Sequence, residues 1–260
     1  MAFALRLLLG LLLFSTAWAQ PIELIYLEGS LTAQEEPLVK KSLDWIASAY
    51  EKQGLNPTRV VRARVFQSVR EFHSYQKRHR SPRDGSPLSS TGYFSTGLDE
   101  VVLWRSKRFL PIFIHEAHHA LLRSTYKNPP KWLNEGLSEC FEGLELGPDG
   151  QIRLTPQAPR MRKVKRYFGP NFGRQVLEML ALSSRRFNAK SYTRGLDSYT
   201  LSWALTYFLW TGENGPERVA AIIGDLKLGE DSQTAVERHY PGGLDQLALD
   251  LQNFYFELTQ

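Results

Sequence analysis

His115, Glu116 and His119 stand in the run Ile114-His115-Glu116-Ala117-His118-His119, at the spacing H-E-x-x-H. On a helix, residues four apart lie one turn apart on one face, so both imidazoles can grip a single metal ion. Glu116 points toward the same side, where a carboxylate can take a proton from a metal-bound water. Two histidines hold a metal weakly, and a hydrolytic site needs three protein ligands with an open fourth position. The segment Trp132-Leu133-Asn134-Glu135-Gly136-Leu137-Ser138-Glu139 offers the third. The chain between His119 and Glu135 has room to leave one helix, turn at Asn128-Pro129-Pro130 and return on another, so that Glu135 faces the histidine pair. Glu139, four residues on, shares that helical face and is placed to accept the second N–H of a ligand histidine. His118 is excluded as a ligand because using it would break the one-turn spacing. His73, His79 and His239 are isolated. Cys140, five residues after Glu135, reads as a small buried side chain turned away from the ligand face.

The elements that must position these residues alternate in the first half. Ile22–Leu27 suits a strand, and Leu38, Leu43, Trp45, Ile46 and Tyr50 recur at helical spacing until Gly54, Asn56 and Pro57. Arg59–Phe66 is a valine-rich strand, followed by a short helix at Val69, Phe72 and Tyr75 and a loop at Arg80–Ser90. Thr91–Phe94 and Glu100–Trp104 form two strands joined by a tight turn at Thr96-Gly97-Leu98-Asp99. Helix signals dominate from Leu110 on. Leu110, Phe113, Ile114, Ala117 and Leu121 define a buried face, with Pro111 tolerated in the first turn and His115 and His119 off the stripe. A second helix is expected from near Pro130 through Glu142. After a connection bearing Pro148, Pro156 and Pro159, helices are expected at Phe172–Leu182, Tyr199–Trp210, Pro216–Leu226 and Leu244–Phe256.

Residues 1–19 read as a secretory signal peptide: Arg6, an apolar run from Leu7 to Phe14, and the small-x-small site Ala17-Trp18-Ala19. That run is shorter than the roughly 20 residues a bilayer span needs, which argues against an uncleaved anchor. Nothing beyond it looks like a transmembrane helix, so no integral membrane segment is expected after cleavage. The mature chain, residues 20–260, is expected to be periplasmic or secreted. It is long enough for one domain with an α/β lobe over 20–145, carrying the metal site, and a helical lobe over 146–260. A single cysteine in 260 residues excludes an internal disulfide framework. The net charge of +5 is densest at Arg160–Arg166. No aromatic interleaving or nucleic-acid motif accompanies that segment, so it reads as a solvated helix face, with an anionic envelope component as the alternative partner and nucleic acid excluded.

H-E-x-x-H followed by W-L-N-E-G resembles the gluzincin zinc metallopeptidases of clan MA, and more narrowly the bacterial peptidase MA-like domains. The resemblance covers about Gly92 to Trp210. It implies a zincin-like α+β fold: an N-terminal mixed sheet with helices and an active-site helix, then a mainly helical lobe. By matching positions it implies Zn2+ held by His115, His119 and Glu135, with Glu116 as general base and Glu139 beside the ligands. Tyr199, in Tyr199-Thr200-Leu201-Ser202-Trp203, resembles the tyrosine that stabilises the oxyanion in these families. The strand around Tyr93-Phe94-Ser95 is expected to rim the cleft and pair with an extended peptide or protein substrate. No motif for a free substrate amino terminus is present, which counts against aminopeptidase activity. Two other readings stay open: a non-catalytic zincin-fold binding or assembly module of the cell envelope, and a metal-dependent amidase acting on envelope polymers.

Overall fold

Valine-rich runs build the sheet. The computed structural model, which describes residues 20–79, 91–188 and 197–259, places β1 at Glu23–Glu28, β2 at Val60–Phe66, β3 at Gly92–Ser95 and β4 at Glu100–Trp104. Their order is β1-β2-β4-β3; β1, β2 and β4 run parallel, and β3 pairs antiparallel with β4 along the outer edge. Helices cover both faces, which is why β4 reads as a continuous apolar run. Val101 and Leu103 point into the main core, and Val102 points the other way onto Phe66 and Phe72. Asp99 closes the β3–β4 turn at φ 52°, a left-handed conformation that aspartate tolerates better than most residues. The expected strands begin one residue early at β1, β2 and β3, because ladder hydrogen bonds rather than hydropathy set strand ends. The expected signal peptide and the Arg80–Ser90 loop lie outside the described residues.

Helix α1 (Glu36–Glu51) links β1 to β2, as parallel neighbours require, and α2 (Val69–His79) covers the opposite face. The motif-bearing helix α3 spans Phe109–Thr125. Its burial is wider than the expected stripe: Ile112, His118, Ala120 and Leu122 are buried as well, while Leu110 is only half-buried. An amphipathic stripe suits a surface helix, whereas α3 is enclosed by α1, the sheet and α4. It stops at Tyr126, ahead of Pro129 and Pro130, whose rings and preceding residues disfavour helix. Pro130 then caps α4 (Lys131–Phe141) in extended conformation.

Two short strands, β5 (Leu144–Leu146) and β6 (Ile152–Leu154), form a hairpin, and Gly150 takes φ 75° in its turn. The rest is helical: α5 (Ala158–Tyr167), α6 (Phe172–Leu180), α7 (Ser184–Asn188), α8 (Ser198–Thr211), α9 (Gly215–Lys227), α10 (Ser232–His239) and α11 (Gly243–Thr259). Helix α5 occupies the expected proline-rich connection, because Pro159 sits in its first turn, where no hydrogen bond is lost. Helix α8 is buried nearly all round and packs closely on α4. The contact is close because of Gly136: an ideal Cβ there would lie 2.7 Å from Ser202 O and 2.7 Å from Thr206 Cγ2. One buried apolar cluster runs from Ile22 to Tyr255, joining sheet and helical half into one core. The fold is therefore α+β, a small mixed sheet followed by a helical C-terminal region. Among the described residues no helix is long and apolar enough to cross a membrane.

Candidate metal centre

Two helices bring three donors together. On α3 the His115 and His119 rings stand edge to face, centroids 4.8 Å apart. From α4, Glu135 Oε2 approaches to 3.7 Å from His115 Nε2 and 3.8 Å from His119 Nε2. Zinc bonds of about 2.0–2.1 Å place tetrahedral ligand atoms about 3.4 Å apart; both Glu135 separations come near that value, and all three donor atoms lie within 4.8 Å of one another. Glu116 Oε2 lies 3.9 Å from His119 Nε2, and the Phe94 backbone on edge strand β3 sits close enough to the Glu116 carboxylate to favour its ionised form. Cavities of about 540 and 700 Å³ flank the donors and leave the fourth side reachable.

The rings are held by their other nitrogens. His119 Nδ1–H donates to Asn134 Oδ1 at 3.1 Å, which leaves Nε2 with a free lone pair toward Glu135. Ser138 Oγ–H donates to Asn134 O at 2.8 Å and lies 2.7 Å from His118 Nδ1. Its one proton being used, the Ser138 hydroxyl accepts from His118 Nδ1–H, and His118 Nε2 accepts from the Tyr50 hydroxyl at 2.8 Å. His118 is thus a neutral core imidazole with both nitrogens engaged, and burial pushes its pKa well below the ordinary value. It supports the crossing of α3 and α4 and is no ligand. On the outer side, Lys131 Nζ donates to Glu135 Oε1 at 3.0 Å, turning the other carboxylate oxygen inward.

Charge around the donors favours a cation. Burial opposes ionisation of Glu135, but His119, His115 and Lys131 outweigh it and hold its carboxyl well below the usual range. Burial likewise disfavours a charged His115, yet Glu135 and Glu142 outweigh it and raise its pKa well above the ordinary value. His119 is lowered to about 4, mainly by burial. Glu116 is raised to about 7, by burial first and by Glu135, near the pH at which a general base works best. A bound cation would pull that value down.

One expectation is corrected. Glu139 does not take the outer N–H of a ligand histidine; Glu142 stands there, its Oε1 2.8 Å from His115 Nδ1, though not aligned as a hydrogen bond. Glu139 is drawn away by an ion pair with Arg160. Residues 135, 139 and 142 share one face at i, i+4 and i+7, so the spacing alone could have flagged Glu142. His115, Glu139 and Glu142 form a second group with ligand atoms within 4.8 Å. Arg160 and Arg108 already pair with its two carboxylates, which makes it the weaker cation site.

The basic segment is also not simply a solvated face. Arg160 lies beside Glu139 and donates to Thr200 Oγ1 at 3.2 Å, and Lys163 pairs with Asp197. Asp197 caps α8, accepting from Thr200 N at 2.7 Å, and so sets the first turn that carries Tyr199. Tyr199 borders the smaller cavity and packs edge-on against Phe187 at 5.2 Å. Burial, then Glu135 and Glu139, push its phenol pKa up, so it remains a donor at neutral pH. Asn134, Ser138 and Glu142 were not singled out by sequence, and Arg160 only as part of the basic segment, because their roles depend on contacts between separate helices. Cys140 is fully buried in the core.

A family model described as a protein of unknown function (DUF1570) matches residues 111–226, just under half of the chain. The matched span holds His115, Glu116, His119, Glu135, Glu139 and Tyr199. No curated protein matches the sequence.

Proposed function

We propose that this chain is an exported zinc-dependent metallopeptidase of gluzincin type. The observation that carries the reading is the convergence of His115 Nε2, His119 Nε2 and Glu135 Oε2 beside the Glu116 carboxylate, at the floor of an open cleft. The signal-like residues 1–19 and the H-E-x-x-H and W-L-N-E-G motifs support it from the sequence side.

His115, His119 and Glu135 would hold the ion, which when bound supplies Lewis acidity at a substrate carbonyl and lowers the pKa of a water toward about 7. Glu116 accepts the proton of the attacking water and returns it to the departing amine. Tyr199 donates its phenolic proton in a hydrogen bond to the oxyanion as the carbonyl becomes tetrahedral. The exposed edge of β3 pairs with the extended substrate backbone and holds the scissile bond over the site.

The test is hydrolysis of unfolded proteins and degenerate peptides, with Glu116→Gln as the blank. A carboxamide cannot accept the proton, so that variant should keep metal and fold while losing turnover. Tyr199→Phe should lower turnover about 10²–10³-fold at near-constant affinity, the scale for one oxyanion donor. Peptide turnover that persists in Glu116→Gln, or none in the wild type, overturns the reading.

A further inference from the structure

The two cavities beside the donors differ in charge. The larger, of about 700 Å³, opens beside Glu116, His119 and Glu135 and is walled by Arg123, Lys127 and Lys131. Among the described residues its only carboxylates are Glu116 and Glu135, both already part of the site. In the smaller cavity Glu139 and Glu142 are matched by the arginines paired with them. Part of the excess has a structural use: Arg123 Nη1 donates to Lys127 O at 3.0 Å at the end of α3, and Lys131 holds Glu135. That does not account for the Lys127 ammonium. Among the described residues no carboxylate pairs with Arg123 or Lys127, and Lys127 is exposed. Tyr93 and Phe94 of β3 line the same cavity, so a peptide lying along that edge would send alternate side chains toward these cations.

We propose that this cavity selects acidic peptides, taking an Asp or Glu side chain of the substrate against Arg123 and Lys127. The inference rests on the peptidase reading and names its substrate class. An opposite charge about 4 Å away in a water-accessible cleft corresponds to about a five-fold preference. Salt screens such a contact once the Debye length falls to about 3 Å near 1 M.

The experiment uses the full mature chain loaded with zinc and one set of internally quenched peptides. They differ only in carrying Glu, Gln or Lys at positions flanking a cleaved bond. The expected kcat/KM order is Glu above Gln above Lys, by about five-fold per step at low salt, converging near 1 M. Lys127→Glu should cancel most of the preference for the Glu over the Lys peptide, because the new carboxylate offsets Arg123. Anisotropy of fluorescein-labelled peptides on Glu116→Gln protein should give the same order without turnover. If nothing is cut above the Glu116→Gln blank, the peptidase reading falls and this inference with it. If Glu, Gln and Lys peptides are cut and bound alike, or Lys127→Glu leaves the size of the preference undiminished, the acidic selection alone is overturned.

Discussion

Gly136 ties the fold to the metal centre, and adding one methyl group tests that tie. In Gly136→Ala the new Cβ would lie 2.7 Å from the Ser202 carbonyl oxygen, where ordinary contact begins at 3.4 Å. Backbone of α8 cannot rotate aside as a side chain would, so α4 must move off by about 0.7 Å, the shortfall in that contact. Overpacking of this kind costs about 1–3 kcal/mol. Glu135 is the adjacent residue on the same helix, and donor sites tolerate displacement of only about 0.5 Å. Zinc affinity should therefore fall about 10–100-fold. Gly224 in α9 supplies the control, since an ideal Cβ there meets nothing within 4 Å. Gly224→Ala should be neutral or stabilising by up to about 1 kcal/mol, the helical preference of alanine over glycine. Urea unfolding of the metal-free proteins gives the first quantity, and zinc competition against a chromophoric chelator gives the second. If the two alanine variants are equally stable, or Gly136→Ala binds zinc as the wild type does, the close-approach reasoning is wrong.

Two further expectations concern charge. Glu142→Gln should weaken zinc binding about 10–100-fold by removing the carboxylate charge 2.8 Å from the outer nitrogen of His115, more than Glu139→Gln does; the reverse order in the chelator assay would restore Glu139 to that role. Glu35 accepts from Arg105 at 2.7 Å, and that hydrogen bond, against burial, lowers its pKa to about 2. Because the folded value lies below the unfolded one of about 4.3, the pair contributes its stability above that pH and loses it as pH falls toward 2. For this partly exposed pair the contribution is on the order of 1 kcal/mol. Glu35→Gln should thus be less stable than wild type at pH 6, with the gap narrowing below about pH 4 and closing toward pH 2; a gap in denaturant midpoint that stays constant would refute the linkage.

What the sequence made legible was whatever a single element decides. Turn chemistry at residues 96–99, the proline break between α3 and α4, and the H-E-x-x-H spacing each follow from local geometry. Short elements were missed where their signals were equally local but ambiguous. Pro159 reads as a breaker yet opens α5, and Asp231, which accepts from Gln233 N and Thr234 N, caps the unexpected α10. The partners of the candidate ligands were hidden for another reason. Whether Glu139 or Glu142 meets His115 depends on Arg160, brought from α5 by the packing of a separate segment. The burial of α3 on several sides is likewise a property of what surrounds it.

The central claim is that His115, His119 and Glu135 hold the ion. Anomalous diffraction at the zinc edge, from crystals of the mature chain grown with one equivalent of zinc, measures this without reference to any substrate. The expected result is a single peak bounded by His115 Nε2, His119 Nε2 and Glu135 Oε2, close to the midpoint of the 3.7 and 3.8 Å contacts that now separate them. A peak among His115, Glu139 and Glu142 instead, or no peak at either group, would contradict it.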